Sequence, residues 1–373
     1  MNSVKRRRSL AVKVGPITIG GGAPVVLQSM TNTRTSDTAA TLQQICDLAA
    51  AGCELVRVAV PDAGAADALG ELVRDSPVPL VADIHFDIDL AYRALERGAA
   101  KIRINPGNIG GTAKLDELCR RAADCGAALR IGVNAGSLER PLRQKYGGVT
   151  AAALVESALG YLETTAKTGF DQTVISLKAS DVPTTIEAYR LIAGQVPHPL
   201  HLGVTAAGPL ESGLIKGAIG VGTLLAEGLG DTVRISLTAD PLAEVRVARH
   251  ILEILHLRPR RGPELISCPT CGRCEVNLIP LVNRVAKLLH DYPHPVKVAV
   301  MGCAVNGPGE AREADIGITA GRKQGLLFRR GEVVRTVPQD QLLEALQEEL
   351  KQFTVVKQSL SGSGKSEEVE TWT

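Results

Sequence analysis

Across the first 240 residues one phrase recurs: a short apolar, β-branched run followed by a longer stretch with helical spacing. The runs are Val25–Ser29, Leu55–Val60, Leu80–Ile84, Ile102–Ile104, Ala128–Val133, Thr173–Ser176, Leu200–Val204 and Val233–Leu237. Most are continuous rather than alternating, the pattern of strands buried on both faces of a parallel sheet. Between the first two runs Leu42, Ile45, Cys46 and Ala49 share a helix face. Ser36 or Asp37 can cap its start, and Gly52 closes its end. Eight such units within about 250 residues predict an α/β fold, a (β/α)8 TIM barrel over residues 1–258, better than an open doubly wound sheet.

The phrase stops near Leu257, and the stiff basic connector Arg258–Pro263 marks a domain boundary. A second, smaller α/β domain is expected over 259–357. It holds a helix with Leu278, Leu281, Val282, Val285, Leu288 and Leu289 on one side, with Pro280 tolerable only in its first turn. A strand is expected at Val296–Met301, and a hairpin from Gly325–Arg329 and Val333–Val337 around Arg330-Gly331-Glu332. Pro338 then opens a last helix with Leu342, Leu343, Leu346 and Leu350. The Ser/Gly-rich, acidic stretch from 358 to 373 reads as a disordered tail.

Composition narrows the function. The 373 residues are 45% hydrophobic and 22% charged, enough for a sizeable core. The 42 basic and 40 acidic residues leave a net charge of +2, and aromatics make up 3%. Phosphate neutralisation and base stacking are thus both poorly supplied, which argues against a nucleic-acid partner. No apolar run of membrane-spanning length occurs, and the segment after Lys5-Arg6-Arg7-Arg8 lacks the apolar centre of a signal peptide. A cytoplasmic protein with no membrane partner is expected.

Eight cysteines then change the picture, four of them between Cys268 and Cys303. Cys268-Pro-Thr-Cys271-Gly-Arg-Cys274 holds two C-x-x-C steps, and Cys303 follows a strand on the far side of a helix. This spacing lets thiolates converge on zinc or on an iron–sulfur cluster. A lone distant cysteine, rather than a second C-x-x-C, weakens the structural-zinc alternative. Cys46, Cys53, Cys119 and Cys125 read as small core hydrophobes. Glu310, after the tight Asn306-Gly-Pro-Gly309 loop, can turn back towards the cysteines, although spacing alone favours a solvated loop residue.

Barrel enzymes work at the C-terminal ends of their strands. Polar residues in or just after the runs are Arg57, Asp83, His85, Arg103, Asn105, Arg130, Asn134, Ser176, Lys178, His201, Arg234 and Ser236. Guanidinium groups converging from several strands point to a small polyanion, phosphates above all. The bland alternative is internal ion pairing with Asp83, Asp181, Asp231 or Asp240. No Walker loop and no G-x-G-x-x-G after a strand is present.

With these residues in view, the sequence resembles the bacterial 4-hydroxy-3-methylbut-2-enyl diphosphate synthase family of the methylerythritol phosphate route to isoprenoids. The match rests on Gln28-Ser-Met-Thr-Asn-Thr-Arg-Thr35, Val81-Ala-Asp-Ile-His-Phe86, Arg103-Ile-Asn-Pro-Gly-Asn108 and Arg130-Ile-Gly-Val-Asn-Ala-Gly-Ser137. It continues through Lys178-Ala-Ser-Asp181, Pro199-Leu-His-Leu-Gly203, Gly230-Asp-Thr-Val-Arg-Ile-Ser236, Ser267-Cys-Pro-Thr-Cys271 and Gly302-Cys-Ala-Val-Asn-Gly-Pro-Gly-Glu310. The resemblance covers about residues 10 to 355 in one order, in the short two-domain form.

It implies a 4Fe-4S cluster held by Cys268, Cys271, Cys303 and Glu310, leaving Cys274 a bystander. It further implies reductive opening of 2-C-methyl-D-erythritol 2,4-cyclodiphosphate, with loss of a hydroxyl as water and two electrons from reduced flavodoxin or ferredoxin. A head-to-tail homodimer is part of the same implication. On this reading Arg57, Arg103, Arg130, Lys178 and Arg234 bind the diphosphate, helped by His85, Ser176 and Ser236. Asp83, Asn105, Asn134 and His201 orient hydroxyls or deliver protons, so that Asp83, His201 and Glu310 are the catalytic candidates. Where many members have Glu-Ala-Gly this chain has Ala206-Ala207-Gly208, and Glu211 is the nearest substitute. The competing reading is a barrel aldolase or pterin-type transferase acting on a phosphorylated ligand, with a structural zinc module.

Overall fold

The computed structural model describes residues 4–109, 112–205, 207–290, 292–303, 309 and 311–362. They form two compact units, divided between Arg258 and Pro259. The first is a parallel eight-stranded barrel made of β3 (Val26–Met30), β4 (Leu55–Ala59), β5 (Leu80–Asp83), β6 (Lys101–Ile104), β7 (Ala128–Asn134), β8 (Thr173–Lys178), β9 (His201–Leu202) and β10 (Thr232–Val233). The hydrogen-bonded order is β8-β7-β6-β5-β4-β3-β10-β9, and a parallel bridge between Ile175 and Leu200 joins the two edges. Each apolar run of the sequence contributes one strand.

Side-chain caps start the helices that follow several strands, as orphan N–H groups at a helix N-terminus require. Asp37, Asp62, Asp87, Thr150, Asp181 and Asp240 each accept a backbone N–H in the first turn. The stripe that the first helix, Thr38–Ala50, buries is Thr41, Ile45 and Leu48. Gly52, at φ 95°, ends it in a left-handed conformation that glycine adopts without strain.

A feature absent from the sequence reading precedes the barrel. β1 (Val12–Val14) and β2 (Ile17–Ile19) form an antiparallel hairpin. Val12, Val14 and Ile19 pack against Val26, Leu55, Val81, Ala128 and Val174, which start or nearly start their strands. The hairpin therefore plugs the N-terminal end of the barrel. Its signal was the alternation of Val-Lys-Val and Ile-Thr-Ile about Gly15-Pro16.

The plug identifies the inward face of every strand, because side chains two residues apart share a face. Above Val26 stand Gln28 and Met30; above Leu55, Arg57; above Val81, Asp83. Lys101 pairs with Val81 and Ala128 and is followed by Arg103, and Arg130 stands above Ala128. Ser176 and Lys178 follow Val174. The other face, which includes Val56, Val58, Ala82, Ile102, Ile104, Leu129, Ile131, Ile175 and Leu177, packs in the main apolar cluster with the helices. Runs that read as continuous thus have an apolar outside, and an inside that is apolar at the plug and becomes polar and charged towards the C-terminal end.

In the second unit, the sheet order is β11 (Glu264–Ser267), β12 (Lys297–Met301), β13 (Ile316–Thr319), β14 (Gln324–Arg329) and β15 (Glu332–Pro338). The first three are parallel, and the last two form a hairpin through Arg330 and Gly331, both at positive φ. Leu278, Leu281, Val285 and Leu289 of one helix pack with Leu342, Ala345, Leu346 and Leu350 of another over this sheet. Each fully buried Leu or Val stabilises it by about 1.5–3 kcal/mol. The last helix runs on to Gly362, into the segment read as a tail, while 363–373 lie outside the described residues. No helix among the described residues is long and apolar enough to cross a membrane.

Candidate active site

At the C-terminal end of the barrel a cavity of about 150 Å³ is lined by Arg57, Asp83, His85, Arg103, Arg130, Asn134, Lys178, Val204, Thr205, Arg234 and Ser236. Asp83 is its hub. Arg103 Nη1 donates to Asp83 Oδ1 at 3.1 Å, Arg57 Nε lies 3.9 Å from Oδ2, and His85 Nε2 is 3.3 Å from the same oxygen. Burial pushes the Asp83 carboxyl up, but Arg57, His85 and Arg103 outweigh it and hold the group well below the usual carboxylate range. Asp83 is therefore a fixed negative charge that aligns two guanidinium groups.

Arg234 is held from the other side. Glu244, on the helix Pro241–Ile254, accepts from Arg234 Nε and Nη2 at 3.3–3.4 Å, from the Leu237 N–H at 2.9 Å and from Ser29 Oγ at 3.3 Å. Met30 Sδ fills the space between, 3.0 Å from Arg57 Nε and 3.6 Å from Arg234 Nη1. Sequence reading missed Glu244. Its signal was an acid, one of two with Glu253, on the otherwise apolar buried stripe of Pro241, Val245, Ala248 and Leu252.

Arg130 and Lys178 have no carboxylate of their own. Arg130 is 1% exposed, and its Nε and Nη1 lack a hydrogen-bond partner among the described residues. A buried, unpaired guanidinium is costly unless an anion completes it. Burial, then Arg130, Arg57 and the other arginines, drives the Lys178 ammonium well down. Gly203 makes room for it, because a Cβ there would stand 2.5 Å from Lys178 Nζ and 2.8 Å from the Arg234 carbonyl oxygen.

Three candidates stand apart from this cavity. Ser176 and His201 are fully buried in the inward columns and do not line it; among the described residues Ser176 Oγ and His201 Nε2 have no partner. Burial and the surrounding cations push His201 well below its ordinary value, so its ring is neutral. Asn105 donates to Ser137 Oγ and thereby ties the loop after β6 to the one after β7. Thr205 lines the cavity, Ala206 lies outside the described residues, and Glu211 is exposed in the first turn of the helix Leu210–Ala226. Of the suspected structural acids, only Asp83 serves the mouth. Asp181 and Asp240 are caps, and Asp231 binds Arg6 at 3.2 Å and Ser9 at 2.9 Å.

In the second unit, β11 and β12 run parallel and adjacent, with Ser267 opposite Val300. Cys268 leaves the end of one strand and Cys303 comes just after the other, so a sequence separation of 35 residues collapses to one sheet edge. The Gly302 N–H donates to Cys268 Sγ at 3.3 Å, and the Cys274 thiol donates to the Val276 carbonyl at 3.2 Å. Gly302 separates two thiols: a Cβ there would stand 2.6 Å from Cys274 Sγ and 3.7 Å from Cys268 Sγ. Cys271 is exposed, and its thiol is held below the ordinary value first by the Arg273 backbone N–H.

All four cysteines are free. Among the described residues no group of three His, Cys, Asp or Glu is already set to hold a metal ion, and Glu310 lies outside them. The donor set nonetheless suits soft iron–sulfur chemistry, with unpaired thiols at one edge and an N–H group directed at sulfur. Cys53 and Cys119 are buried as expected of core residues. Cys46 is only partly so and Cys125 is exposed, which corrects that assignment.

The model of the GcpE TIM-barrel domain matches residues 9–249, and that of the GcpE protein C-terminal domain matches 264–352. A 4-hydroxy-3-methylbut-2-en-1-yl diphosphate synthase (flavodoxin) of Geobacter sulfurreducens is 54% identical over 352 residues, 94% of this chain and 99% of the relative. The protein of the same description from Bifidobacterium longum is 52% identical over 345 residues, covering 91% and 85% of the two chains. Among solved structures, dihydropteroate synthase from Stenotrophomonas maltophilia superposes on 68% of this chain and 100% of its own with a TM-score of 0.50. Its 15% identity shows a shared barrel fold alone. The relatives match the reductive reading and set aside the aldolase or pterin-type alternative.

Proposed function

The chain belongs to the GcpE family, and on that premise we infer that it is an oxidoreductase forming 4-hydroxy-3-methylbut-2-en-1-yl diphosphate from the 2,4-cyclodiphosphate, with flavodoxin as electron donor. The observation that carries this reading is the charged inner face of the barrel, where Arg57, Arg103, Arg130, Lys178 and Arg234 surround one cavity. Four guanidinium groups and the Lys178 amine suit a compact diphosphate, and their burial strengthens every contact with it.

Asp83 and Glu244 act through the arginines that they hold, so Asp83 is a positioning carboxylate rather than a proton donor. Arg130 has the unpaired N–H groups that a phosphate oxygen would fill. Asn134 and Ser236 border the same cavity and offer neutral partners for a hydroxyl. In this proposal Cys268, Cys271 and Cys303, together with Glu310, hold a 4Fe-4S cluster. When bound, the cluster supplies the two electrons that the ring opening consumes. The same reading carries a homodimer, and ferredoxin is a second donor of the required kind.

The test is anaerobic purification followed by turnover. About four irons per chain are expected, with conversion of the cyclodiphosphate only when reduced flavodoxin or ferredoxin is present. Protein that holds one zinc and no iron, or iron-loaded protein that leaves the cyclodiphosphate unchanged, overturns the reading.

A further inference from the structure

Beneath the cavity lies a buried amine for which the proposed function has no use. Lys101 is 0% exposed on the inward face of β6, and its Nζ reaches across the barrel to Gln28 Oε1 at 3.5 Å, its one hydrogen-bond partner among the described residues. Arg130 on β7 and Arg57 on β4 are the charged groups that act on it, and both are positive. His201, on β9, is neutral, and the carboxylate of β5, Asp83, is already engaged by Arg57, Arg103 and His85.

Charge balance sharpens the point. Among the described residues the inner barrel and its mouth hold six basic side chains, the five cavity cations and Lys101, against the carboxylates Asp83 and Glu244. Four positive charges would remain uncompensated, and a bound dianion would cancel only two of them. Arginine does not give up its proton in proteins, so the adjustment falls on the lysines.

We propose that Lys101 is a charge-balancing residue of the reaction: its amine is neutral in the free barrel and takes up one proton from solvent as the diphosphate enters above it. Burial drives the ammonium form down, and the two guanidinium groups add to that effect. A dianion seated on Arg130 and Arg57 cancels the repulsion that keeps the proton off. Ring opening then raises the demand for positive charge. The cyclodiphosphate dianion takes two electrons and one proton, loses one water and leaves a diphosphate carrying one further negative charge. A protonated Lys101, beneath the cavity and beside Arg130 and Arg57, offsets part of that charge without touching the reacting atoms.

The inference rests on the reading that this cavity binds a diphosphate, so two probes are needed. Calorimetric titration at pH 8 in two buffers of different ionisation enthalpy gives the protons taken up per ligand, with the cyclodiphosphate and with inorganic pyrophosphate. Uptake in wild type should exceed that in Lys101→Met by about one proton, while Lys178→Met retains the Lys101 share. Lys101→Gln serves as the second variant if Lys101→Met does not fold. In the free protein Lys101→Met should raise Tm, since the unfolded chain binds a proton that the folded barrel excludes. Equal uptake in wild type and both Lys101 variants, or uptake abolished by His201→Gln alone, overturns the proposal. If pyrophosphate shows Lys101-dependent uptake but the cyclodiphosphate does not bind, the substrate reading fails and the role of Lys101 stands.

Discussion

The barrel mouth and the cysteine edge solve opposite problems with similar means. Both place chemistry at the C-terminal ends of parallel strands. In the mouth, two carboxylates orient three of the five cations before any ligand arrives, and all but the rim is buried. At the cysteine edge the thiols are half-buried or exposed, and among the described residues no group of three His, Cys, Asp or Glu is set to hold a metal ion. A phosphate site can be preorganised because fixed dipoles and charges tolerate waiting for their anion. A thiolate cluster site cannot, since packing sulfur donors together without a metal is unfavourable.

The comparison is broken most severely at the cysteine edge. Cys303→Ser should lose its iron and all turnover, while Cys274→Ser keeps most of both, as iron analysis and visible absorption will show. Loss of iron in Cys274→Ser would favour Cys274 over the proposed Glu310 as the fourth ligand. The next largest effect belongs to Arg130→Met, which should lower kcat/KM by about 10²–10³-fold with no loss of thermal stability, because no protein partner is stranded. A melting temperature that falls sharply would show that the guanidinium is structural.

Asp83→Asn tests the preorganisation itself. It leaves Arg103 and Arg57 without their shared carboxylate and should cost about 3 kcal/mol in stability at pH 7. Because the folded carboxyl titrates below the unfolded one, the native carboxylate stabilises fully above about pH 4 and loses its contribution as pH falls through the lowered value. Urea denaturation should therefore show the gap between variant and wild type narrowing in acid; a constant gap would mean that the effect is steric. Smallest is Glu244→Gln, expected to raise KM by about tenfold with kcat little changed, as Arg234 loses its charged brace but keeps a neutral acceptor. Should kcat fall instead, Arg234 acts on the transition state rather than in binding.

The sequence alone marked each of the eight strands, the connector at 258–263 and the hairpin at Arg330-Gly331, because periodicity and turn residues are local properties of a chain. It also marked the arginines of the mouth, since polar residues at the ends of apolar runs are conspicuous. It did not reveal which face of each run looks inward. Only closure of the barrel over the plug made Val26, Gln28 and Met30 one column and Val81 and Asp83 another, and so separated Asp83 from Asp181, Asp231 and Asp240 as the acid of the site. Nor did it reveal Glu244, which ties the nearby Arg234 and Leu237 to Ser29, 215 residues away, or Lys101, whose partner Gln28 is 73 residues away. Periodicity records how each residue relates to its neighbours along the chain. Compensation of a buried charge depends on distance in space, and the tertiary fold alone sets that.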